Sequence, residues 1–328
     1  MKVTIIHASD AIEPPPADPV IGQIKAALEN AGHSAATIAV DKNLMATVKA
    51  LQDSKPDLVF NLAESYDGKS ALESNVAGLL NLLDLRYTGS SPAGLLLAGD
   101  KSISTKMLRA NGVKTPESAT LFRGAIENVG KLHFPLIVKP PQEDASLGIT
   151  NKSVVKDVQE LLQQLDSLHG EYASPILVEE FVEGREFYCG VLGNAQPTPL
   201  PIVEMDFTGF PADKPRIASW AAKWGDDGDE KGAEFSGTKS IFPEDLHEEL
   251  VERIHAVAVD AFRALRLRDY ARVDMRVNDK GEIYVLEINP NCYLEKDAEF
   301  ARAARKADIE YDALIARIVE LASARYAR

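Results

Sequence analysis

The apolar positions of the N-terminal part of the chain fall into short continuous runs, separated by stretches with helical periodicity. The runs predict buried strands at 3–7, 36–40, 58–62 and 86–88, and the stretches predict helices at 21–31, 44–54 and 74–83. Strands that alternate with helices at this spacing favour a parallel sheet with crossover helices. We therefore expect an α/β fold whose ligands bind at the carboxyl ends of the strands.

In the rest of the chain, short strand runs pair as hairpins flanked by helices. Asp100 is the predicted N-cap of a helix at 101–110, and a strand that ends in a lysine is predicted at 134–140. The segment 208–237 is rich in Gly and Asp, which is typical of a functional lid or a disordered insert. The expected domains are an N-terminal parallel α/β domain at 1–98, a small central α+β domain at 99–182 and a C-terminal domain at 183–328.

The composition limits the classes of partner. A chain of 328 residues with 45% hydrophobic and 26% charged residues is ordinary for a soluble globular protein of two or three domains. Its net charge of −14 argues against nucleic acid or a membrane surface as the main partner. Two cysteines and six scattered histidines predict neither a disulfide framework nor a zinc site. Without a signal peptide or a transmembrane run, the expected location is the cytoplasm.

Residues 271–289 carry the strongest chemical pattern, a predicted β-hairpin. Two runs rich in Val, Ile and Tyr flank Asn278-Asp279-Lys280-Gly281, which is a turn signal. Centring the turn there makes Arg272 oppose Glu287 and makes Asp274 oppose Val285. Asp274 and Glu287 then become diagonal neighbours.

Alternation across the strands separates an apolar face from a polar face of this hairpin. The predicted apolar face carries Val273, Met275, Val277, Tyr284, Leu286 and Ile288. The predicted polar face carries Arg272, Asp274, Arg276, Glu287 and Asn289, with Ile283 and Val285 among them. Carboxylate and amide oxygens suit Mg²⁺, whereas a solvated, charge-paired face is the other interpretation of the same pattern.

Three separated lysines, Lys101, Lys139 and Lys223, lie at the ends of elements or in loops. Each of them alone is typical of a solvated side chain. Together with the acidic hairpin they favour a polyphosphate held between lysines and Mg²⁺, which is the electrostatic requirement of phosphoryl transfer.

The order of these motifs resembles the ATP-grasp superfamily and, within it, the D-alanine–D-alanine ligases. The resemblance spans nearly the whole chain. The matching segments are Tyr87-Thr88-Gly89-Ser90, Asp100-Lys101, 134–140, Ser146-Leu147-Gly148, 178–187, Ala222-Lys223, Arg272-Val273-Asp274 and Glu287-Ile288-Asn289. It implies an ATP-grasp fold behind an N-terminal parallel α/β domain.

The resemblance also implies the roles of individual residues. Arg272 would be catalytic, because it would stabilise the oxyanion of a tetrahedral intermediate. ATP would be bound by Lys101, Lys139, Ser146, Glu179, Glu180, Phe181, Val182, Glu186, Lys223 and Leu286, with Glu186 on the ribose hydroxyls. Two Mg²⁺ ions, with Mn²⁺ as an alternative, would be held by Asp274, Glu287 and Asn289.

The substrate side departs from the family pattern. Glu64 and Tyr293 are the candidate substrate residues. The departures lie at 11–19, 61–65, Ala145, Trp224 and 290–295.

The resemblance thus implies an ATP-dependent carboxylate–amine ligase that forms a peptide-type bond through an acyl phosphate. It would act on small amino-acid or dipeptide substrates, as a homodimer, without nucleic acid or membrane. A ligase for amino acids other than D-alanine and an ATP-binding module without ligase activity remain alternatives.

Overall fold

The computed structural model describes residues 1–8, 18–123, 131–143, 146–172, 175–219 and 237–327. Within these ranges the protein is a mixed α/β structure built on three sheets. No helix in the described ranges combines the length and apolarity needed to cross a bilayer.

The first sheet is parallel, as the alternating pattern predicted. Its three strands, in the order β2-β1-β3, are β1 (Lys2–Ala8), β2 (Ser34–Val40) and β3 (Leu58–Leu62). The helices of this region are α1 (Pro19–Asn30), α2 (Leu44–Ser54) and α3 (Glu73–Leu82). The expected strand at 86–88 is reduced to an isolated bridge between Val59 and Tyr87, because only one residue reaches the edge of the sheet.

Two consecutive helices follow, and only the second was predicted. Helix α4 (Pro92–Gly99) begins with Pro at its first position and is capped by Ser91, whose side chain accepts from Gly94 N at 3.2 Å. Helix α5 (Lys101–Ala110) is capped by Asp100 as expected, with hydrogen bonds from the backbone at the start of the helix. Asp100 thus ends α4 and begins α5, which fixes the position of Lys101 at the first residue of α5.

The second sheet is antiparallel, in the order β4-β7-β5-β6. Its strands are β4 (Ser118–Leu121), β5 (Leu136–Lys139), β6 (Val154–Val155) and β7 (Ile176–Glu180), and helix α6 (Val158–Glu171) covers one face. Leu136 and Val138 belong to the core under α6, whereas Ile137 and Lys139 line a cleft on the other side. The alternation of β5 therefore delivers the lysine to the cleft.

The third sheet has six strands, in the order β11-β10-β8-β12-β13, with β9 pairing to β8. They are β8 (Arg185–Leu192), β9 (Thr198–Pro199), β10 (Val203–Asp206), β11 (Lys239–Ile241), β12 (Tyr270–Val277) and β13 (Ile283–Asn289). The helices that follow β11 are α7 (Glu248–Ala264), α8 (Glu299–Lys306) and α9 (Tyr311–Tyr326). One apolar cluster joins α9, α1 and the first sheet, so the end of the chain packs beside its beginning.

The hairpin β12–β13 forms, but its predicted register is wrong. Arg272 opposes Asn289, and Asp274 opposes Glu287 directly rather than diagonally. The register then shifts between Asp274 and Met275, because Leu286 is an extra residue on β13 and forms a β-bulge.

This bulge also corrects the predicted faces. Ile283 and Val285, which were assigned to the polar face, are buried in the core with Met275. Leu286, which was assigned to the apolar face, lines the cleft beside Glu287. One additional residue is enough to reverse the side on which every later side chain of the strand points.

Candidate active site

A cleft lies between the second and third sheets and gathers most of the residues that were predicted to bind a nucleotide. Its lining includes Lys139, Ser146, Glu179, Glu180, Phe181, Val182, Glu186, Asp274, Leu286 and Glu287. Apolar side chains from 181, 182 and 286 lie beside charged side chains from the two sheets. The cleft therefore offers an apolar wall for a planar ring and a charged wall for a polyanion.

A buried ion pair forms the floor of the cleft on the side of the second sheet. Lys139 Nζ lies 2.6 Å from Glu179 Oε2, and the two side chains are 7% and 1% exposed. Glu179 Oε1 is buried and has no hydrogen-bond partner among the described residues. Since a buried carboxylate oxygen without a donor is costly, this atom marks a place where a bound ligand would supply one.

The hairpin brings the predicted metal ligands together. Asp274 and Glu287 are directly opposite across the two strands, and Asn289 Nδ2 lies 3.2 Å from Asp274 Oδ2. No group of three or more His, Cys, Asp or Glu side chains arranged to hold a metal occurs in the part of the chain that the structure describes. The set at the hairpin has two carboxylates and one amide, a combination that suits a cation sharing its coordination with phosphate oxygens and water.

Arg272 lies at the end of the cleft, in contact with Asp274. Its Nε and Nη2 donate to Asp274 Oδ1 and Oδ2 at 2.7 and 2.8 Å, and its guanidinium stacks over Tyr188, 4.9 Å from the ring centroid. Burial alone would lower the pKa of Arg272, but the attraction of Asp274 outweighs it and raises that pKa well above its ordinary value. Arg272 is thus a fixed, permanently charged group.

Lys101 approaches the hairpin from the start of α5. Its Nζ lies 3.2 Å from Glu287 Oε2 and donates to the Glu143 carbonyl at 2.7 Å, although its side chain is only 5% exposed. Ser146 Oγ donates to the Ala218 carbonyl at 2.7 Å, which joins two loops across the cleft. The predicted Lys223 lies outside the described residues, as do Ala145 and Trp224.

Arg276, which lines the cleft, and the buried Tyr188 had no role assigned from the sequence. Arg276 donates from Nη2 to Glu186 Oε2 at 2.8 Å, and Tyr188 donates to Glu186 Oε1 at 2.9 Å. Alternation had already put Arg276 on the same face as Arg272 and Asp274. Its partner, however, lies 90 residues earlier in the chain, so that only the sheet order reveals the pair.

The candidate substrate residue Tyr293 follows the open end of the hairpin, where Arg272 opposes Asn289. Tyr293 donates to Asp18 Oδ1 at 2.9 Å, and its pKa is raised by burial, by Asp18 and, more weakly, by Glu64. The pKa of the Cys292 thiol is likewise raised, first by burial, with further contributions from Asp274 and Glu64. The charge of Glu64 thus acts on both Tyr293 and Cys292, the residues that follow the hairpin.

Asn291 connects this region to the first sheet. Its Nδ2 donates to Glu73 Oε1 at 2.6 Å, and its Oδ1 lies 2.7 Å from the position that a Cβ on Gly89 would occupy. Gly89 has φ +85°, and its backbone N–H donates to the buried Asp269. The turn at 89 and the turn after β13 thus fit together only because residue 89 has no side chain.

The comparisons with known proteins agree with this geometry. The family model "D-ala D-ala ligase C-terminus" matches residues 107–320. The D-alanine–D-alanine ligase of Carboxydothermus hydrogenoformans is 30% identical over 304 residues, which cover 90% of this chain and 89% of that protein. An uncharacterised protein of Sinorhizobium fredii, y4sG, is 34% identical over 319 residues, which cover 96% of this chain and 90% of that protein.

Solved structures give the same result. The D-alanine–D-alanine ligase of Bacillus anthracis complexed with ATP matches with a TM-score of 0.76 at 25% identity, covering 98% of this chain and 97% of that one. The VanG D-Ala:D-Ser ligase of Enterococcus faecalis shares the fold, with a TM-score of 0.75 at 21% identity. Fold and cleft define an ATP-grasp ligase. The family match and the relatives show that the chain belongs to the D-alanine–D-alanine ligase family.

Proposed function

We propose that the protein is an ATP-dependent carboxylate–amine ligase that joins two amino acids, with D-alanine the first candidate for both. A substrate carboxylate attacks the γ-phosphate of ATP to give an acyl phosphate and ADP. The amine of the second substrate then displaces phosphate and forms the peptide-type bond. The observation that carries this proposal is the direct opposition of Asp274 and Glu287 between two cations, the partly buried Arg272 and the buried Lys101.

The cleft offers apolar contacts for the base of a nucleotide and charged contacts for its phosphates. Phe181, Val182 and Leu286 provide apolar contacts for a base, and Glu179 Oε1 provides a buried acceptor that lacks a donor. Lys139 supplies a positive charge on the floor of the same cleft. In this proposal Lys139 and Lys101 bind the phosphates, together with Lys223.

The donor set at the hairpin fits Mg²⁺. Asp274, Glu287 and Asn289 provide oxygen ligands within one small area, and hard cations such as Mg²⁺ prefer oxygen ligands. Two Mg²⁺ ions bound there would neutralise charge on the phosphates that are transferred. The protein fixes the positions of these three ligands, because they lie on two hydrogen-bonded strands.

Arg272 is the proposed catalytic residue. Because it is held by two hydrogen bonds to Asp274 and by stacking on Tyr188, it needs no reorganisation to face a developing negative charge. We assign Glu64 and Tyr293 to the substrate side, since Tyr293 follows the hairpin end at Asn289 and the charge of Glu64 acts on Tyr293 and Cys292.

Location and assembly are proposed from the family resemblance and not from the geometry. We propose a cytoplasmic homodimer that acts on small amino-acid or dipeptide substrates, without a nucleic-acid or membrane partner. Sedimentation of the purified protein checks the dimer.

The test of function is phosphate release from ATP and Mg²⁺ in the presence of single D- and L-amino acids, their pairs and small dipeptides. Mass spectrometry of the products identifies the bond formed. We expect phosphate release and a dipeptide mass with at least one pair, and neither with Asp274→Ala. ATP binding by calorimetry with no phosphate release for any substrate would instead support a nucleotide-binding module without ligase activity.

A further inference from the structure

The nucleotide cleft contains a buried arginine that the mechanism above does not use. Arg276 is 3% exposed, and its guanidinium contacts three parts of the chain. Nε and Nη2 donate to Glu186 Oε2 at 3.1 and 2.8 Å, Nη1 donates to the Val182 carbonyl at 2.8 Å, and Nη2 also donates to the Arg216 carbonyl. The guanidinium also lies 5.0 Å from the centroid of the Phe181 ring. One side chain therefore joins several walls of the cleft.

Glu186 is almost fully occupied by these contacts. Its Oε2 accepts from Arg276 twice, and its Oε1 accepts from the Tyr188 hydroxyl at 2.9 Å. A carboxylate has about four acceptor positions, so that about one remains for a ligand. Glu186 lines the cleft and is 5% exposed, which leaves that position open to a ligand in the cleft.

We propose that Arg276 is a positioning residue that sets the discrimination for ribose in the nucleotide. It holds the buried Glu186 in one orientation, so that its remaining lone pair accepts a hydrogen bond from a ribose hydroxyl. This inference rests on the proposed function, in which Glu186 faces the ribose. Arg276 itself touches Glu186 and the cleft wall, and its effect on the nucleotide passes through Glu186.

The physical reason is the cost of an unpaired buried carboxylate. Without the guanidinium, Glu186 would keep only the hydrogen bond from Tyr188 and would draw water into the cleft, so that it would cease to be a fixed acceptor. Lysine at this position keeps the charge but lacks the planar fork that reaches Glu186, Val182 and the Arg216 carbonyl together. Arg276→Lys therefore changes the orientation of Glu186 while it retains the positive charge at position 276.

The experiment measures Kd by calorimetry for ATP and for 2′,3′-dideoxy-ATP, which lacks both ribose hydroxyls, in the presence of Mg²⁺. The wild-type protein is expected to prefer ATP by about 10- to 100-fold, the range for a hydrogen bond to a charged group. Arg276→Lys and Glu186→Gln are each expected to bring this ratio close to one. The double variant should match the single variants, because both act on the same hydrogen bond.

Arg185→Lys is the matched control. Arg185 neighbours Glu186 on β8 but pairs with Glu204 and Asp245 outside the cleft, so its variant should keep the wild-type ratio. Should Arg276→Lys fail to fold, Tyr188→Phe removes the other donor to Glu186 and should lower the ratio in the same way.

A folded Arg276→Lys protein that keeps the wild-type ratio, or that loses affinity for both nucleotides equally, would overturn the inference. The binding measurement needs no turnover, so this result is separate from a failure of ligase activity in the amino-acid panel. Absence of ATP binding by the wild-type protein would overturn both proposals.

Discussion

Replacement of Arg325 by Met removes one half of a buried ion pair that joins distant parts of the chain. Asp269 is fully buried and accepts from Arg325 Nε and Nη2 at 2.9 and 2.7 Å. It also accepts from Gly89 N at 2.8 Å and from Asn194 Nδ2 at 3.0 Å. Arg325 Nη2 donates in addition to the Tyr87 carbonyl at 2.8 Å. The pair thus connects α9 with the turn at 87–89.

The expected loss of unfolding free energy follows from the burial of the pair. The side chains of Arg325 and Asp269 are 15% and 0% exposed, so solvent screens their attraction little. Removal of one partner of a buried pair costs about 3–5 kcal/mol, because the remaining charge stays buried. Methionine keeps most of the aliphatic stem, so that little of this loss comes from packing.

Urea unfolding followed by circular dichroism measures the loss, and Arg317→Met on the same helix is the control. Arg317 pairs with Glu320 at 3.3 Å, but these side chains are 57% and 66% exposed, so its replacement should cost at most about 0.5 kcal/mol. The Arg325→Met midpoint should fall by about 1 M urea or more. A loss no larger than that of the control would refute the argument that burial makes this pair important.

Four further predictions concern the site and the thiols. Glu287→Ala should abolish phosphate release while leaving the far-ultraviolet spectrum unchanged; retained turnover would show that Glu287 is no metal ligand. Arg272→Ala should lower kcat by about 10²–10³ through loss of oxyanion stabilisation, and a change in KM alone would contradict this role. Gly89→Ala should displace Asn291 in the substrate-side segment 290–295, because the new Cβ would lie 2.7 Å from Asn291 Oδ1. The KM of the amino-acid substrate should therefore rise while the KM of ATP stays the same. Equal changes in the two KM values would contradict this prediction. Burial raises the pKa of Cys189 to about 12, so at pH 8 only about one thiol in 10⁴ is ionised, and a thiol reagent should label it only after denaturation.

The sequence predicted the elements whose signals are local. Alternation of apolar runs and helical periodicity predicted the parallel sheet, and Asp100 predicted the start of α5. Helix α4 was missed, because its sequence PAGLLLAG is apolar on all sides and has no helical period. Where the chain lacks an amphipathic pattern, tertiary burial decides its conformation.

Structural features that depend on residues far apart in the chain could not be predicted from local sequence patterns. The turn of the hairpin and its charged residues were predicted, but not the bulge at Leu286, since nothing in a run of β-formers marks which residue is left unpaired. The family resemblance put Lys139 and Glu179 in one cleft, but not in an ion pair of 2.6 Å, and it gave no role to Arg276. The Lys139–Glu179 pair and the Arg276–Glu186 pair both follow from the order of the strands in the sheets.

The bulge makes the proposed contact for the base, Leu286, and the proposed metal ligand, Glu287, immediate neighbours in the chain. Leu286 and Glu287 face the same cleft although they are consecutive, which a regular strand forbids. Deletion of one residue here would leave the composition of β13 almost unchanged and yet turn Glu287 toward the core. In an alignment of related chains, a single gap at 286 would therefore identify members in which the proposed metal ligand no longer faces the cleft, even where every charged residue is still present.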